Sequence, residues 1–368
     1  MGRRPTRQDI ADSLGISIIT VHRALNDSGY VSVDLRERIR AESERIGYRP
    51  HRAAQSLVRS SNRELVVFST ESPTFHWDAV ERGVRTAGSQ IADFGYDTRY
   101  ERIPRGDTGA YLKRLRSARR RGVAAVAVVN NLEYEMEAVF AFLDRWGVPY
   151  ATLNIDAPTS RRRAFVGVDH AAEGRLAANF IAAGARRGGL IAVVSTLPRR
   201  ATAIAGADIA AERFEGCCET ARRAGLHCRL VEIDTKAGGS RGATDRTLDV
   251  GRRLTGVYLM TADPEVAREI ATATRAPIVA GSASPDFLEM VRDGSLSAIV
   301  YQNPVLQGYY AVRALEHLVE GPSADATAPR VEPQRVILVH NLLLRENMNL
   351  PENHQLFVGT APSGTSDG

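Results

Sequence analysis

The chain has 368 residues, of which 43% are hydrophobic and 25% are charged. This composition is typical of a globular protein of two or three domains. It excludes a helical membrane protein, because no run approaches the roughly 18 apolar residues that span a bilayer. The N-terminal stretch lacks the apolar core of a secretory signal, so we expect a cytoplasmic protein. Cys217, Cys218 and Cys228 are too few for a disulfide framework, and we expect them to be reduced, structural thiols.

Positive charge is concentrated near the N-terminus. Residues 1–63 contain 12 arginines and 7 acids, a net charge of +5, which equals the net charge of the whole chain. Residues 64–368 are therefore neutral overall. A small basic head on a neutral body is typical of a polyanion-binding module joined to a second function. On charge alone, a solvated tail is the alternative.

The basic head carries the pattern of three short helices. The first runs from its cap Thr6 to Leu14, the second from its cap Ser17 to Leu25, and the third from its cap Ser32 to Gly47. Gly15 supplies the tight turn between the first two. Two helices joined by such a turn and braced by a third form a helix-turn-helix, whose second helix enters the major groove of DNA. A three-helix protein-interaction bundle is the generic alternative.

Four stretches of the head resemble the DNA-binding domain of the lactose-repressor (LacI) family. They are residues 9–17 (DIADSLGIS), 20–26 (TVHRALN), 29–32 (GYVS) and 46–50 (IGYRP). The resemblance implies that this three-helix head binds double-stranded DNA.

The same resemblance implies which side chains contact the DNA. Ile18, Ile19 and Arg23 fall on base-reading positions, where Arg23 can bond a guanine edge and the isoleucines can pack against thymine methyls. His22 stands where the family usually has serine, so its role as a DNA contact or a solvated side chain stays open. The residues at phosphate-holding positions are Thr6, Ser17, Thr20, Asn26 and Ser32.

Residues 50–62 resemble the hinge helix and linker of the same family. The segment after Pro50 is basic and compatible with a helix, but it is too short to be stable alone. The resemblance implies that it orders when two copies meet over the minor groove. Ala54 and Leu57 would then lie at the DNA, with Leu57 as the wedge that kinks it. A flexible linker with an incidental leucine is the alternative.

From residue 65 the pattern changes to alternating strands and helices. Predicted strands cover residues 65–70, 97–100, 124–130, 150–154, 190–195, 230–234, 257–260, 278–281 and 298–302. Helical stretches are predicted between them, among them residues 77–92, 110–121, 171–183, 207–224, 264–274 and 305–320. The alternation predicts an α/β body of two doubly wound, parallel-sheet subdomains, with a ligand crevice at the carboxyl ends of the strands.

The sequence of the body shows no signature of catalysis or cofactor binding. It contains no P-loop, no dinucleotide-binding glycine motif and no nucleophile elbow, and the glycine-rich residues 238–242 predict a surface turn. We therefore expect no enzyme, no cofactor and no metal site. An enzyme would need a catalytic constellation that the sequence does not show.

The body resembles the periplasmic-binding-protein-like effector domain of the LacI family. The matching stretches are residues 72–77, 166–169, 213–216, 260–263, 288–308 and 341–347. The resemblance implies an effector-binding set of Phe75, Trp77, Asn130, Asn154, Asp156, Arg213, Asp263, Ser282 and Gln302. Arg213 matches the family's effector-binding arginine, and the aromatic rings can stack on a sugar.

Two residues depart from the family's pattern, which has asparagine at position 262 and aspartate at position 282. Here these residues are Ala262 and Ser282, and a serine cannot accept two hydroxyl hydrogens as a carboxylate does. With a buried negative charge lost and Arg213 kept, the residues favour a sugar acid or a phosphorylated compound. A neutral sugar and a non-sugar ligand stay open.

The sequence therefore predicts four parts. They are a helix-turn-helix domain at residues 1–49, a hinge helix and linker at 50–62, an effector-binding and dimerisation core at 63–347, and a disordered tail at 348–368. Within the core, we expect a first subdomain at about 63–165 and 303–332 and a second at about 166–302 and 333–347.

Together these features predict a homodimeric transcriptional regulator that binds a pseudo-palindromic operator. The resemblance favours a repressor of a carbohydrate uptake or catabolic operon, controlled by a sugar or sugar derivative in the crevice. A solute-binding protein of the same fold, without a regulatory role, is the alternative. The helix-turn-helix and the lack of a secretory signal weigh against it.

Overall fold

The computed structural model describes residues 5–25, 31–46, 63–131, 133–196, 208–233, 254–260, 263–320 and 333–348. These residues fall into two compact units, a head within residues 1–62 and a body formed by most of residues 63–348. The predicted hinge at 50–62 and the predicted tail beyond Met348 lie outside the described residues.

The head consists of three helices, α1 (Arg7–Leu14), α2 (Ile18–Leu25) and α3 (Val33–Arg45). Each contributes fully buried apolar side chains to one small core, among them Ile10, Val21 and Ile39. The three predicted helices are confirmed. Their apolar residues recur at helical spacing in the sequence, and this spacing places them on one face of each helix.

The first two helices begin as their sequence predicts. Thr6 and Asp9 form a capping box, in which the Thr6 N–H donates to Asp9 Oδ2 at 2.6 Å and the Asp9 N–H donates to Thr6 Oγ1 at 3.4 Å. Gly15 has a φ of 64°, a left-handed conformation that favours glycine. Ser17 caps α2, because its Oγ accepts from the Thr20 N–H at 3.1 Å. Ser32 occupies the N-cap position of α3, but its side chain makes no capping hydrogen bond.

The first sheet of the body has six parallel strands. They are β1 (Arg63–Thr70), β2 (Tyr96–Ile103), β3 (Ala125–Val129), β4 (Tyr150–Asn154), β5 (Ala164–Val168) and β11 (Gln334–Leu338). Their spatial order is β11-β5-β4-β3-β1-β2. Strands such as β3 consist of apolar residues only, because helices cover both faces of a parallel sheet and bury both sides of the strand.

The second sheet also has six strands. They are β6 (Leu190–Ser195), β7 (His227–Glu232), β8 (Leu254–Leu259), β9 (Ile278–Ala280), β10 (Ala298–Tyr301) and β12 (Asn341–Leu343). Their order, β12-β10-β9-β8-β6-β7, repeats that of the first sheet, except that β12 runs antiparallel to β10. The predicted pair of doubly wound subdomains is confirmed.

Within the described ranges of the body, eight α-helices pack against the sheets. They are α4 (Thr74–Ile91), α5 (Thr108–Arg121), α6 (Met136–Trp146), α7 (His170–Ala182), α8 (Ile209–Arg223), α9 (Pro264–Ala273), α10 (Pro285–Asp293) and α11 (Pro304–Glu320). A 3-10 turn, Ala92–Phe94, follows α4.

Each subdomain contains one pair of helices in backbone contact. A Cβ atom built on Gly83 of α4 would lie 1.9 Å from the carbonyl oxygen of Val305, at the start of α11. In the second subdomain, a Cβ on Gly174 of α7 would lie 1.9 Å from the carbonyl oxygen of Arg213 in α8. Glycine is therefore required for the close approach of both pairs.

The chain passes between the sheets three times, after β5, after β10 and after β11. This corrects the predicted boundaries. The sequence analysis placed residues 333–347 wholly in the second subdomain, but β11 pairs with β5 in the first sheet. It also ended the first subdomain near residue 165, within β5. The sequence of a short strand does not show which of the two sheets the strand will join.

Candidate functional site

A cavity of about 420 Å³, here called the cleft, opens between the two subdomains at the carboxyl ends of their strands. The lining from the first subdomain comprises Pro73, Phe75, His76, Trp77, Asp78, Ala79, Arg82, Asn154 and Pro304. The lining from the second comprises Arg213, Met260, Gly281, Ser282, Ala283, Pro285, Leu288, Val300, Tyr301 and Gln302. This is where a doubly wound sheet presents its loops to a ligand.

Six of the nine predicted effector residues line this cleft: Phe75, Trp77, Asn154, Arg213, Ser282 and Gln302. Asn154 is the last residue of β4, has a left-handed conformation (φ 67°) and donates through Nδ2 to Gln307 Oε1 at 3.0 Å. Gln307 in turn donates to the carbonyl of Gln302 at 3.0 Å. A chain of hydrogen bonds thus joins β4 to the crossover after β10.

Asn130, Asp156 and Asp263 are not among the residues that line the cleft, and their role in effector binding stays a prediction. Asp263 is the N-cap of α9 and accepts from the Glu265 N–H at 2.9 Å. Asn130 donates to the backbone carbonyl of Asp156 at 2.7 Å, and the Asp156 carboxylate accepts from Arg162 Nη2 at 2.8 Å. Each of the three thus makes at least one hydrogen bond within the body.

The aromatic wall of the cleft is only partly open. Trp77 is 4% exposed, and its indole N–H donates to the Ser72 carbonyl at 3.0 Å. The ring of His76 meets the Trp77 ring edge to face, with centroids 4.8 Å apart. Trp77 is therefore mainly a core residue whose edge reaches the cleft, whereas Phe75 is half-buried and offers more of its ring.

Arg213 is held by a buried carboxylate that the sequence analysis missed. Glu173 of α7 is fully buried, and its Oε2 lies 3.0 Å from Arg213 Nη2. Tyr258 donates to Oε1 at 2.8 Å, and Gln302 donates to Oε2 at 2.9 Å. Burial raises the pKa of Glu173, while Arg213, Tyr258 and Gln302 act to lower it by stabilising the charged form.

Three histidines surround this ion pair and were also missed. His76 lines the cleft, His170 opens α7, and His340 lies on the third crossover with Nε2 3.9 Å from Glu173 Oε2. Burial and the charge of Arg213 lower the pKa of His76 and of His340 to about 4. The same causes lower the pKa of His170 well below its usual value. Isolated histidines form no sequence motif, so nothing in the pattern indicated that they meet.

Helix α2 of the head carries the predicted base-reading residues. Ile18 is 44% exposed, as a side chain that contacts a partner should be. Ile19, Thr20, His22 and Arg23 follow it in the same helix. The hydroxyls of Ser17 and Thr20 lie 2.8 Å apart at the N-terminus of α2, where backbone N–H groups favour a phosphate.

Of the remaining predicted DNA contacts, the structure describes Thr6 and Ser32. Thr6 is exposed, and its hydroxyl donates to Asp9 Oδ2 at 2.7 Å within the capping box. Ser32 is exposed at the start of α3. Asn26, Ala54 and Leu57 lie outside the described residues.

Comparison with known families decides the relationship. Residues 65–323 match the periplasmic binding protein domain family, and residues 6–51 match the bacterial regulatory proteins of the lacI family. The chain belongs to the periplasmic binding protein domain family. As a member of that family, it carries a lacI-type regulatory head in front of the binding-protein body, as the sequence analysis predicted.

Two curated proteins and one solved structure are similar to this member of the family. The ribose operon repressor of Bacillus subtilis (strain 168) is 26% identical over 239 residues, which are 62% of this chain and 63% of that protein, so the chain spans less than two thirds of it. The HTH-type transcriptional regulator CelR of Thermobifida fusca is 26% identical over 364 residues, 94% of this chain and 98% of that protein. GanP, a glucose-galactose binding protein from Geobacillus stearothermophilus, superposes with a TM-score of 0.62 at 20% identity, covering 79% of this chain and 100% of that one.

None of the helices in the described ranges has the length and apolar character of a membrane span. No group of three or more histidine, cysteine, aspartate or glutamate side chains among the described residues is placed to hold a metal ion.

Proposed function

We propose that this protein is a sequence-specific DNA-binding transcriptional regulator, a repressor of a carbohydrate uptake or catabolic operon. One observation carries the proposal: the chain joins a lacI-type three-helix head to a two-subdomain body with a ligand cleft. The head supplies DNA recognition, and the cleft supplies control by a small molecule. One of its relatives in sequence is named as the repressor of a ribose operon, which supports a sugar or sugar derivative as the effector of this protein.

The cleft suits an effector that bridges the two subdomains. Phe75 reaches it from the first subdomain, and Arg213, Ser282 and Gln302 reach it from the second. Arg213 lines the cleft, and its guanidinium carries more N–H groups than the contact with Glu173 uses, so it can also donate to a ligand oxygen. A ligand that contacts both subdomains favours the closed arrangement only by its difference in affinity for the two arrangements.

The regulator acts as a homodimer on a pseudo-palindromic operator. Two copies present two α2 helices to two half-sites of the DNA, so a palindrome matches a two-fold dimer. Support for this part of the proposal comes from the lacI-type head and from the resemblance of residues 50–62 to a hinge helix that orders between two copies.

Fluorescence anisotropy tests the regulatory function. Full-length protein is titrated into labelled DNA from upstream of its own gene, with an unrelated duplex as control, and sugars are then added one at a time. We expect tighter binding to the upstream DNA and release by one or a few sugars. Equal affinity for both duplexes would contradict the proposal.

The Arg213→Ala variant tests the effector site in the same assay. We expect it to bind upstream DNA as the wild type does, because Arg213 lies in the body, but to lose the response to the effector. Arg292→Ala, which removes an exposed arginine outside the cleft lining, is the matched control and should keep the response. A full response in Arg213→Ala would rule out the cleft as the effector site.

The alternative of a solute-binding protein without a regulatory role makes the opposite prediction. Such a protein would bind sugars but would not distinguish the upstream DNA from the unrelated duplex. The match of residues 6–51 to the lacI family disfavours this alternative.

A further inference from the structure

The charge of Arg213 is balanced by a residue that cannot itself reach a ligand. Glu173 has no exposed surface, and one of its oxygens lies 3.0 Å from Arg213 Nη2 at the wall of the cleft. The other oxygen accepts from Tyr258, which is also fully buried. Among the described residues, Arg213, Tyr258 and Gln302 all donate to this carboxylate, and these contacts oppose the burial that raises its pKa.

The fold is shaped to admit this carboxylate. A Cβ atom built on Gly281 would lie 2.1 Å from Glu173 Oε1, so only glycine leaves room for it at the end of β9. On the other side, Gly174 and Gly216 bring α7 and α8 into backbone contact, with Cβ positions 1.9 Å from the Arg213 carbonyl and 2.1 Å from the Ala171 carbonyl. These contacts fix the distance between Glu173 and Arg213.

We propose that Glu173 is the built-in counter-ion of Arg213 and a specificity-determining residue, which makes the cleft select uncharged polyhydroxy ligands over anions. The proposal rests on the cleft being the effector site, as argued above. It reverses the expectation of an acidic effector, which was drawn from Ala262 and Ser282 alone.

The physical reason is local electroneutrality. An anion that approached Arg213 would meet a guanidinium already paired at hydrogen-bond distance, with the Glu173 charge behind it. The anion and the Glu173 carboxylate would then both lie beside one guanidinium, and two negative charges repel each other strongly where water is excluded. A hydroxyl oxygen carries no such penalty and can accept a hydrogen bond from the Arg213 guanidinium at the cleft wall.

The other charged side chains of the cleft do not restore a preference for anions. Asp78 adds a negative charge and pairs with Arg102 at 2.5 Å, and Arg102 also pairs with Glu81 at 2.7 Å. Arg82 is the second cation of the lining and is itself engaged in an interaction within the body. Glu173 is thus the charge that decides how Arg213 meets a ligand.

The test measures a gain of anion binding, which a merely structural role would not produce. Sodium sulfate is the probe, titrated at constant ionic strength against sodium chloride, with full-length protein and isothermal titration calorimetry. The variants are Glu173→Gln, which keeps the shape of the side chain, and the double change Glu173→Gln with Arg213→Gln. Sulfate bound by the basic head contributes equally to all variants, so the double variant provides the baseline.

We expect the wild type to bind sulfate no better than the double variant. Glu173→Gln should bind it about tenfold more tightly or better, because a like charge beside the anion has been removed. Equal sulfate affinity of wild type and Glu173→Gln overturns the proposal, and so does sulfate binding by the wild type that the double variant loses.

A second variant keeps the test valid if Glu173→Gln does not fold. Gly281→Ala leaves the charge of Glu173 in the chain but pushes the carboxylate away from its place, and it should show the same gain of sulfate binding. Gly184→Ala is the matched control, because a Cβ there meets nothing within 4 Å. A folded Gly281→Ala that binds sulfate like Gly184→Ala contradicts the proposal. Failure of the regulatory function would appear separately, as equal affinity of the wild type for upstream and unrelated DNA.

Discussion

At the scale of single residues, the body is notable for buried histidines that stay neutral. His170 is 5% exposed, and the side chain of His340 is 2% exposed. Both lie at crossovers between the sheets, close to Arg213. Proton uptake by either would place a second positive charge beside the guanidinium in a poorly hydrated site.

This arrangement predicts that the body loses stability in mild acid. With a folded pKa of about 4 and an ordinary pKa of 6.5, the unfolded chain takes up a proton on His340 between these values and the folded chain does not. Unfolding is therefore favoured as the pH falls from 6.5 towards 4, and the contribution of His340 is about 2 kcal/mol at pH 5. Below pH 4 this contribution changes no further.

Urea unfolding at pH 7 and pH 5 measures this effect. His340→Gln should lose less stability between the two pH values than the wild type does. His227→Gln, which changes an exposed histidine, should lose as much as the wild type. Parallel losses in all three proteins would contradict the argument.

A second prediction at this scale concerns Arg23 of α2. Arg23→Ala should relax base preference at one position of each half-site, because a bidentate bond to guanine contributes about 1–3 kcal/mol of discrimination. The measurement is binding to a set of operators with single base changes. Arg45→Ala is a suitable control, because Arg45 in α3 pairs with Glu42 at 2.6 Å and should leave base preference unchanged.

At the scale of elements, the glycine contacts explain why α7 and α8 pack so closely. Gly174→Ala should destabilise the body by about 1–3 kcal/mol, since the added methyl overlaps a backbone carbonyl that cannot rotate away. Gly184→Ala should be neutral or slightly stabilising, because it meets open space. Thermal or urea unfolding compares the two. Equal stability would mean that the helix pair can separate without cost.

The sequence predicts those elements whose apolar pattern is uninterrupted. All nine predicted strands occur, and β3 and β6 are buried along their whole length. Three observed strands, β5, β11 and β12, were missed. β5 lies inside the first sheet and is buried along its whole length, but Gly167 interrupts its apolar run of five residues. β11 contains Gln334 and Arg335 and is half exposed, and β12 has only three residues. Helices α6 and α10 were also missed, although α10 begins with the proline expected at a helix start.

The site was predictable only as far as family resemblance reached. Arg213 and Ser282 were found because they occupy matching positions. Glu173 was not, because its partners Arg213 and Gln302 are distant in the chain, the latter by 129 residues. Asn130 and Asp156 were assigned to the ligand because they follow strands, but position in the sequence does not show which polar group an internal partner already uses.

At the scale of the whole molecule, charge and function are divided between the two parts of the chain. The surplus of +5 lies within residues 1–63, and the remaining residues balance, although α5 alone carries six basic side chains and no acid. Some of these are neutralised across the body, as when Arg121 pairs with Glu64 at 3.0 Å and with Glu101 at 2.9 Å. DNA attraction should therefore come from the head.

Salt dependence of DNA binding tests this division. Affinity for upstream DNA should fall steeply as the salt concentration rises. A plot of log affinity against log salt concentration should have a slope of about −0.9 for each phosphate that the protein neutralises. Arg23→Ala should lower the magnitude of that slope by about one unit if the side chain also neutralises a phosphate, and leave it unchanged if it only reads a base. The joint removal of Arg119 and Arg120, exposed residues at the end of α5, should leave the slope unchanged because that helix belongs to the body. A lower slope in this double variant would mean that the body shares in the DNA contact, and a flat salt dependence of the wild type would remove the electrostatic basis of the regulatory proposal.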